Sequence, residues 1–488
     1  MDNVGFKQTS KMTEILQKYL LEAVGKNRQD LPETNIYREI GFDGNSKRLG
    51  WVKPASFSRI KQSLQDILPI LEGKEIFIFV GMGGSINGIK PLISLLGPEQ
   101  CYVLDNLDPR AVSSLAAGQK NFSKTLVVLI SKSGTTKETQ LLAKTLQELF
   151  CAQAPGERQK NFLWLSDPSS FDKLNSLGWQ EVAKAAIQFD SQSDIGGRFS
   201  SPNTLIFFLP LFLLLKKDFS RLEKTYNLFL SFEKAIKEEA YQKASACKDK
   251  PEAYFSPLID PCLGESFSSW IIQLFQESLG SKDPKLSVKT IPNLKGQGRF
   301  CPLKLDLKIN DKSVELIAQM YFFQVFIAYY SAFKKINFVS QDYVEEYKQQ
   351  MRRLEGEARK ELKIQAEDLA SLARKIKPCL SKDFSFIEVV LYFDPQPGQA
   401  EAIKDFLEKE FNDKQVLVFI GSDWNHQSYQ AAFGAKDTFY LLLVLSDYPK
   451  SLVSLPDEIL DRNIEALRLI AQATYLTIKD KSVLAALK

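Results

Sequence analysis

Histidine is almost absent from this sequence, and its cysteines are scattered. The single imidazole is His426, and no CxxC pair occurs, so the His/Cys clusters that bind zinc are missing. The six cysteines are Cys101, Cys151, Cys247, Cys262, Cys301 and Cys379. Unpaired thiols spread over a large chain are typical of a reducing compartment. Because the first residues also lack the apolar core of a signal peptide, we expect a cytoplasmic protein without a metal site.

Long apolar runs and an excess of one charge are also lacking. The longest apolar run, 205–215, is interrupted by Pro210 and is shorter than the about 20 residues of a membrane span. Lys and Arg number 63 against 59 Asp and Glu, and the two signs are interleaved. A nucleic-acid binder usually gathers its cations into a stripe. The sequence therefore predicts no membrane or nucleic-acid partner, and any bound anion is expected to be small.

What is present is an ordinary globular composition in a chain too long for one domain. Of the 488 residues, 44% are hydrophobic and 25% are charged. An amphipathic pattern over 11–24 predicts a helical arm. Continuous apolar runs then alternate with helix-like stretches; they lie at 76–80, 101–104, 125–130, 162–165 and 186–189. Such runs indicate a parallel sheet covered by helices on both faces.

The second half of the chain predicts a second domain of the same class. We expect helices over 221–245, 265–280, 313–334 and 340–376, and a half-exposed strand over the alternating residues 303–310. Buried strands are expected at 386–393, 416–420 and 439–445. The predicted fold is therefore two doubly wound α/β domains with helical insertions and an N-terminal helical arm. The expected boundaries are 1–50 for the arm, 51–220 for the first domain and 221–488 for the second.

Two loops at strand ends have the composition of an anion site. Gly81-Met82-Gly83-Gly84-Ser85 follows the first strand, and its glycines let backbone amides approach an anion. It is neither a dinucleotide fingerprint nor a Walker A loop, because Ile86 and Ile89 stand where glycine and lysine are required. By itself it could be only a tight turn.

The second loop, Ser131-Lys132-Ser133-Gly134-Thr135-Thr136, offers four hydroxyls and an ammonium at the end of the strand 125–130. Helix capping needs one hydroxyl, whereas a phosphate with three acceptor oxygens uses several donors. Because open α/β sheets bind ligands beyond the carboxyl ends of their strands, we expect both loops to line one crevice.

Two further elements add charged side chains. Arg198 sits on a Gly-Gly turn, where a guanidinium could meet anionic charge bidentately. Gln273 and Glu277 lie one helical turn apart in an otherwise apolar helix, so both project from the same face. A carboxylate on such a half-buried helix face is suited to act as a general base. Taken singly, a surface arginine and a solvated glutamate are the commoner explanations.

In their order, GMGGS, SKSGTTKET, GGRFS and QLFQESLG resemble the motifs of the glucose-6-phosphate isomerase family, which is built on two flavodoxin-like sugar-isomerase (SIS) domains. The segment from Ile336 to Lys348 is similar to the stretch that carries the family's lysine, and His426-Gln427-Ser428-Tyr429-Gln430 to its histidine stretch. The matches run from about residue 79 to 434. Because His426 follows Lys348, the order is most similar to the isomerase half of bacterial transaldolase–isomerase fusions.

This resemblance implies an isomerase of glycolysis and gluconeogenesis that interconverts glucose 6-phosphate and fructose 6-phosphate without a cofactor. The phosphate would be held by residues of the two loops: Gly84, Ser85, Ser131, Lys132, Ser133, Thr135 and Thr136. His426 and Lys348 are candidates for ring opening, and Glu277 for the proton transfer through a cis-enediolate. Arg198 would stabilise the enediolate charge, and Gln273 would bind sugar hydroxyls or orient Glu277.

Three questions stay open at this stage. The chain could be a non-catalytic SIS protein that binds a sugar phosphate, or an isomerase that also accepts mannose 6-phosphate. The resemblance implies a homodimer with a small-molecule substrate. In family members the histidine can come from the partner subunit, so the sequence does not decide whether His426 acts in cis or in trans.

Overall fold

The computed structural model describes residues 3–97, 100–118, 122–153, 158–280, 286–294, 298–340, 343–356, 364–450 and 455–488. The N-terminal part contains α1 (Asn3–Gly25), α2 (Tyr37–Ile40), β1 (Phe42–Asp43), β2 (Ser46–Lys47) and α3 (Phe57–Leu71). Leu16, Leu20 and Ala23 of α1 are buried, whereas Leu21 is exposed. The predicted amphipathic arm is therefore confirmed, and it begins earlier than the sequence pattern indicated.

The first predicted domain contains a five-stranded parallel sheet. Its strands are β3 (Ile76–Val80), β4 (Cys101–Leu104), β5 (Thr125–Ile130), β6 (Phe162–Ser166) and β7 (Ala183–Ala186). They lie in the order β4-β3-β5-β6-β7. The intervening helices are α4 (Lys90–Leu96), α5 (Pro109–Gly118), α6 (Lys137–Gln153), α7 (Arg158–Asn161) and α8 (Phe171–Leu174). Every residue of the central strand β5 is buried, which explains its unbroken apolar sequence.

A helical layer with a small sheet follows. Its elements are α9 (Leu205–Leu214), α10 (Phe219–Cys247), β8 (Ala253–Pro257), α11 (Gly264–Leu279), β9 (Val288–Thr290), β10 (Cys301–Leu303), α12 (Lys312–Lys334) and α13 (Val344–Gly356). The three strands are parallel, in the order β10-β8-β9. Helix α12 is long and apolar enough to cross a membrane by length and composition, but most of it is buried inside the protein.

The second large sheet is also parallel and five-stranded. Its elements are β11 (Ala366–Glu367), α14 (Leu369–Ile376), β12 (Phe386–Leu391), α15 (Gln399–Glu410), β13 (Gln415–Ile420), α16 (Gly421–Gln427), α17 (Tyr429–Gly434), β14 (Thr438–Leu445), α18 (Asp457–Ile478) and β15 (Ser482–Leu487). The order is β11-β15-β14-β12-β13. The prediction of two parallel α/β layers with helical insertions is thus confirmed.

Some sequence-based assignments were wrong. The strand expected at 186–189 is β7, which ends at Ala186, where its pairing with Ser166 at the end of β6 stops. Residues 303–310 alternate between buried and exposed as predicted, but beyond Leu303 they pair with no strand among the described residues. The helix expected over 340–376 is divided into α13 and α14, and residues 341–342 and 357–363 of that stretch lie outside the described parts of the chain.

The domain boundaries remain predictions, and the packing adds one observation to them. Helices α10 and α12 pack along each other and share one apolar core with α3, α9 and one face of the first sheet.

The carboxyl ends of strands from the two large sheets face each other. The backbone amide of Asp394, beyond β12, donates to the carboxylate of Asp108, beyond β4, at 2.8 Å. A crevice between the two sheets is therefore where ligand chemistry is expected.

Candidate active site

The two loops predicted to bind an anion lie side by side. Strands β3 and β5 pair directly, with Val80 opposite Leu129, so the loops that follow them begin at the same sheet edge. The approach is close at Gly81, where an added Cβ would lie 3.0 Å from the carbonyl oxygen of Ile130. The half-buried Ser85 lies on the turn Gly83–Ser85 that follows. The expected common edge is therefore present.

The hydroxyls of the second loop form two pairs. Ser131 Oγ lies 3.0 Å from Thr136 Oγ1, and Ser133 Oγ lies 3.0 Å from Thr135 Oγ1. Between them Gly134 adopts φ +64°, a left-handed conformation that glycine tolerates best. The loop thus brings the four predicted hydroxyls together around one glycine turn.

Lys132 stands apart from these hydroxyls. Its ammonium donates to the backbone carbonyls of Ser193 at 3.0 Å and Ile195 at 2.8 Å, and lies 3.8 Å from Asp167. Burial lowers the pKa of Lys132 to about 8, although Asp167 opposes the shift. The half-buried ammonium is thus engaged by acceptors that tie the second loop to the segment 193–195, which leads into the Gly-Gly-Arg turn.

The turn of Arg198 packs directly on the first loop through backbone. A Cβ added at Gly84 would lie 2.2 Å from the carbonyl carbon of Gly197 and 2.6 Å from the amide nitrogen of Arg198. Such a distance is far inside van der Waals contact, so only glycine allows the two turns to meet. Gly84 of the first loop therefore allows the close approach that positions Arg198.

We expect Gly84→Ala to displace the two turns from each other and to reduce both stability and activity. The added methyl group would meet backbone, which cannot move aside as a side chain can, and overpacking of this kind typically costs about 1–3 kcal/mol. The thermal midpoint and the turnover of the variant measure the effect. Gly25→Ala is the matched control, because a Cβ at Gly25 meets nothing within 4 Å. A Gly84→Ala protein that equals this control would contradict the packing argument.

Arg198 and Glu277 form a buried ion pair at the centre of the crevice. Nη1 of Arg198 donates to Oε1 of Glu277 at 2.8 Å, and the two side chains are only 1% and 7% exposed. The other carboxylate oxygen, Oε2, accepts from Nε2 of Gln273 at 2.9 Å. The same amide group donates to the backbone carbonyl of His426 at 3.0 Å, and its oxygen accepts from Asn87 at 2.9 Å. The i, i+4 spacing on α11 thus fixes Oε2 of Glu277 through Gln273, and Arg198 fixes Oε1.

Arg198 is held by three other groups besides Glu277. Its Nε donates to Ser278 Oγ at 2.8 Å, and Nη2 donates to the carbonyls of Phe338 at 2.6 Å and Ser340 at 3.3 Å. These contacts and the one to Glu277 use four of its five N–H donors. Within the described residues, the second Nη1–H of Arg198 has no hydrogen-bond acceptor and can donate to a ligand.

His426 belongs to the same crevice of the same chain. It lies near the end of α16, directly after β13. Its Nε2 is 3.0 Å from Oε1 of Glu138 in the first turn of α6, and a Cβ at Gly83 would lie 2.7 Å from its own Cβ. Burial alone would lower the pKa of His426, but the carboxylate of Glu138 outweighs it and raises that pKa above its usual value.

Because this chain has one histidine, the ion pair can be tested directly. In Glu138→Gln the anion that favours the imidazolium is removed, while burial and the positive charge of Lys348 continue to oppose it. The pKa of His426 should therefore fall from its raised value, although Asp423 still favours the imidazolium; the shift is read from the only imidazole resonance in an NMR titration. Glu148→Gln, an exposed position on the same helix, should leave the resonance unchanged. An unaltered pKa in Glu138→Gln would rule out the pairing.

Lys348 is less closely joined to the others. It lies on α13 with a side chain that is 41% exposed, and its ammonium donates to Glu345 at 2.9 Å. Its positive charge nevertheless acts on groups in the crevice. It contributes to the lowered pKa of Glu138, and it opposes the raised pKa of His426. The structure therefore places Lys348 at the rim of the site, on a flexible stem.

Sequence reasoning gave no role to several residues that shape the site. Glu138 was visible only as an acid in the first turn of a helix, a position that the helix dipole also favours. Asn87, which orients Gln273, carried no signal. Lys90 bridges Asp105 and Asp423, and these carboxylates raise its pKa although burial opposes them. That buried bridge joins α16, and hence His426, to the first sheet.

Part of the chain is similar to known proteins. Residues 72–227 match the family model described as phosphoglucose isomerase. A glucose-6-phosphate isomerase of Campylobacter jejuni is 31% identical over 233 residues, which are 46% of this chain and 55% of the relative. One of Latilactobacillus sakei is 27% identical and shares 47% and 53% of the two chains. The chain thus spans about half the length of these relatives.

Solved structures show the same fold. The crystal structure of a glucose-6-phosphate isomerase from Chlamydia trachomatis has a TM-score of 0.53 at 12% identity and covers 73% of this chain and 86% of that one. A hypothetical protein from Thermus thermophilus has a TM-score of 0.52 at 18% identity, with coverage of 72% and 97%. The matched segment 72–227 contains both loops and the Arg198 turn, so this part of the chain resembles the phosphoglucose isomerase family.

Proposed function

We propose that this protein is an aldose–ketose isomerase that interconverts glucose 6-phosphate and fructose 6-phosphate. One observation carries the proposal. A buried carboxylate, Glu277, is fixed between Arg198 and Gln273, and Gln273 also contacts the helix that bears His426. Binding a phosphate needs no such carboxylate, whereas moving a proton between neighbouring carbons does. The arrangement therefore favours an enzyme over a sugar-phosphate-binding regulator.

The phosphate is held by the loop hydroxyls and backbone amides. Its negative charge suits the glycine-rich turns at the carboxyl ends of the strands. Ser131 and Thr136 exchange the hydrogen bond between them for bonds to phosphate oxygens, as do Ser133 and Thr135. Lys132 contributes by holding the loop against residues 193–195, since its ammonium already donates to the carbonyls of Ser193 and Ile195.

The isomerisation then follows from the position of Glu277. In the aldose-to-ketose direction Glu277 takes the proton from C2, the electron pair forms a C1=C2 bond, and the charge moves to O1. The protonated carboxyl returns that proton to C1, while a proton passes from O2 to O1 and the carbonyl forms at C2. The guanidinium of Arg198 stabilises the negative charge of the cis-enediolate.

Ring opening is assigned to the imidazole of His426. The raised pKa keeps a larger fraction protonated near neutral pH, so the group can donate a proton to the ring oxygen and later recover one. Glu138 holds the ring in place through Nε2. Lys348 assists only after leaving Glu345, which its long side chain allows.

The test is a coupled assay of the purified protein with fructose 6-phosphate, in which glucose 6-phosphate is detected by an NADP-linked dehydrogenase. We expect steady turnover. Sugar-phosphate binding without turnover would instead assign the protein to the regulators. Parallel incubation with mannose 6-phosphate measures how strictly the site selects the glucose epimer.

A further inference from the structure

A second cleft lies behind the Gly-Gly-Arg turn. A cavity of about 790 Å³ opens between the N-terminal residues 46–59 and the loop 188–195. Neither the loop hydroxyls nor Arg198, Gln273, Glu277 and His426 are among the residues that line it. Its volume lies within the about 300–1,000 Å³ that is usual for small-molecule sites. The cleft is therefore large enough for a ligand and separate from the proposed reaction centre.

The lining of this cleft is positively charged. It contains four cations and two carboxylates: Lys47, Arg48, Lys53, Arg59, Asp190 and Asp194. The ion pairs among them are long, at 3.5 Å from Lys47 to Asp194 and 3.9 Å from Arg59 to Asp190. The excess of two positive charges matches the about 1.5–2 negative charges of a phosphate monoester.

Two amide side chains in the lining have hydrogen-bonding capacity to spare. Gln188 is 4% exposed, and its Nε2 has no partner among the described residues. Asn203 donates to the Phe199 carbonyl and to Gln324, both at 2.8 Å, so its own oxygen can accept. Since buried donors in proteins are normally satisfied, the unpartnered Gln188 amide points to a polar ligand.

The cleft offers little aromatic surface on which a nucleobase could stack. Phe189 is the one aromatic residue in its lining, and it is engaged edge-to-face with Phe208 at a centroid distance of 5.7 Å. A base would need an open aromatic face for stacking. The amide groups of Gln188 and Asn203 can instead form hydrogen bonds with hydroxyl groups of a ligand.

We propose that this cleft binds a small hydroxylated phosphate ester as a second ligand, apart from the substrate. The proposal is independent of the isomerase activity, because it depends on the cavity, its charge and its unpartnered amide alone.

The cleft is joined to the phosphate loop through one backbone segment. The Ser193 carbonyl accepts from Arg48 at 2.7 Å on the cleft side and from Lys132 at 3.0 Å on the loop side. The amide of Gly50 donates to the Asp194 carbonyl at 3.1 Å and holds this segment against the N-terminal part. Arg48 and Lys132 therefore share one acceptor, the Ser193 carbonyl. A ligand that binds Arg48 can affect the proposed substrate site through this group.

The experiment is calorimetric titration with glucitol 6-phosphate, an open-chain phosphate ester that has no carbonyl to isomerise. We expect two binding events in the unmodified protein. Lys53→Gln with Arg59→Gln should weaken one of them about tenfold, because two charge-assisted contacts are lost. Thr136→Ala should weaken only the other. Both replaced cations are exposed, so folding should be unaffected.

Lys224→Gln with Lys234→Gln is the matched control, since it removes the same charge from exposed positions of α10 outside the cleft. It should leave both events intact. A single binding event that Thr136→Ala weakens and that Lys53→Gln with Arg59→Gln leaves intact would overturn the proposal. So would an equal loss in the control pair, which would mean that only net charge matters, or an isotherm that Lys53→Gln with Arg59→Gln leaves unchanged.

Discussion

Glu277→Gln is expected to lower the rate of isomerisation by about 10²–10⁴-fold, the usual contribution of a positioned proton transfer. The amide keeps the shape of the side chain and one acceptor oxygen for Arg198, but it cannot take the proton from C2. Binding of sugar phosphate should persist, because the phosphate loops lie on other elements. The measurements are turnover in the coupled assay and exchange of the C2 proton with deuterium from solvent, which should disappear together.

Stability has to be followed in the same variant. Removing one member of a buried ion pair typically costs about 3–5 kcal/mol, and Arg198 is left without its carboxylate. Glu265→Gln is the matched control, because Glu265 is an exposed residue in the first turn of the same helix. If Glu277→Gln remained folded and turned over within a factor of a few of this control, Glu277 would not be the base.

The second large effect is expected for Arg198→Lys, which keeps the positive charge but loses the planar array of donors. Lysine cannot reach Ser278, Glu277 and the carbonyls of Phe338 and Ser340 at once. The enediolate charge exists only late in the reaction, so kcat should fall by about 10²–10³-fold, as on removal of an oxyanion donor, with little change in KM. Steady-state kinetics on fructose 6-phosphate measure the two constants.

Two comparisons make this result specific. Thr136→Ala removes a hydroxyl that we propose to bind phosphate in ground state and transition state alike, so it should mainly raise KM. Arg221→Lys, at an exposed position of α10, should change neither constant. A rise in KM alone for Arg198→Lys would make Arg198 one more phosphate ligand and would separate it from the chemistry at C1 and C2.

The sequence by itself determined the layers and the loops. Strands buried on both faces of a parallel sheet require unbroken apolar runs, so β3, β5 and β12 were readable without any contact information. The glycine turns after β3 and the hydroxyls after β5 could be placed at one edge because parallel strands end together. The pair Gln273 and Glu277 followed from the helical repeat alone.

Only the tertiary structure decided how these pieces are joined. Glu138 and His426 are 288 positions apart, and no local pattern predicts which acid approaches the single imidazole. Lys132 reads as a phosphate ligand in the sequence, yet burial places its ammonium against two carbonyls. The residues 303–310 alternate without a strand partner, because alternation reports which side chains are buried and not which backbone groups pair. Burial and partner choice depend on what the rest of the chain places opposite, and that is fixed only when the two sheets face each other.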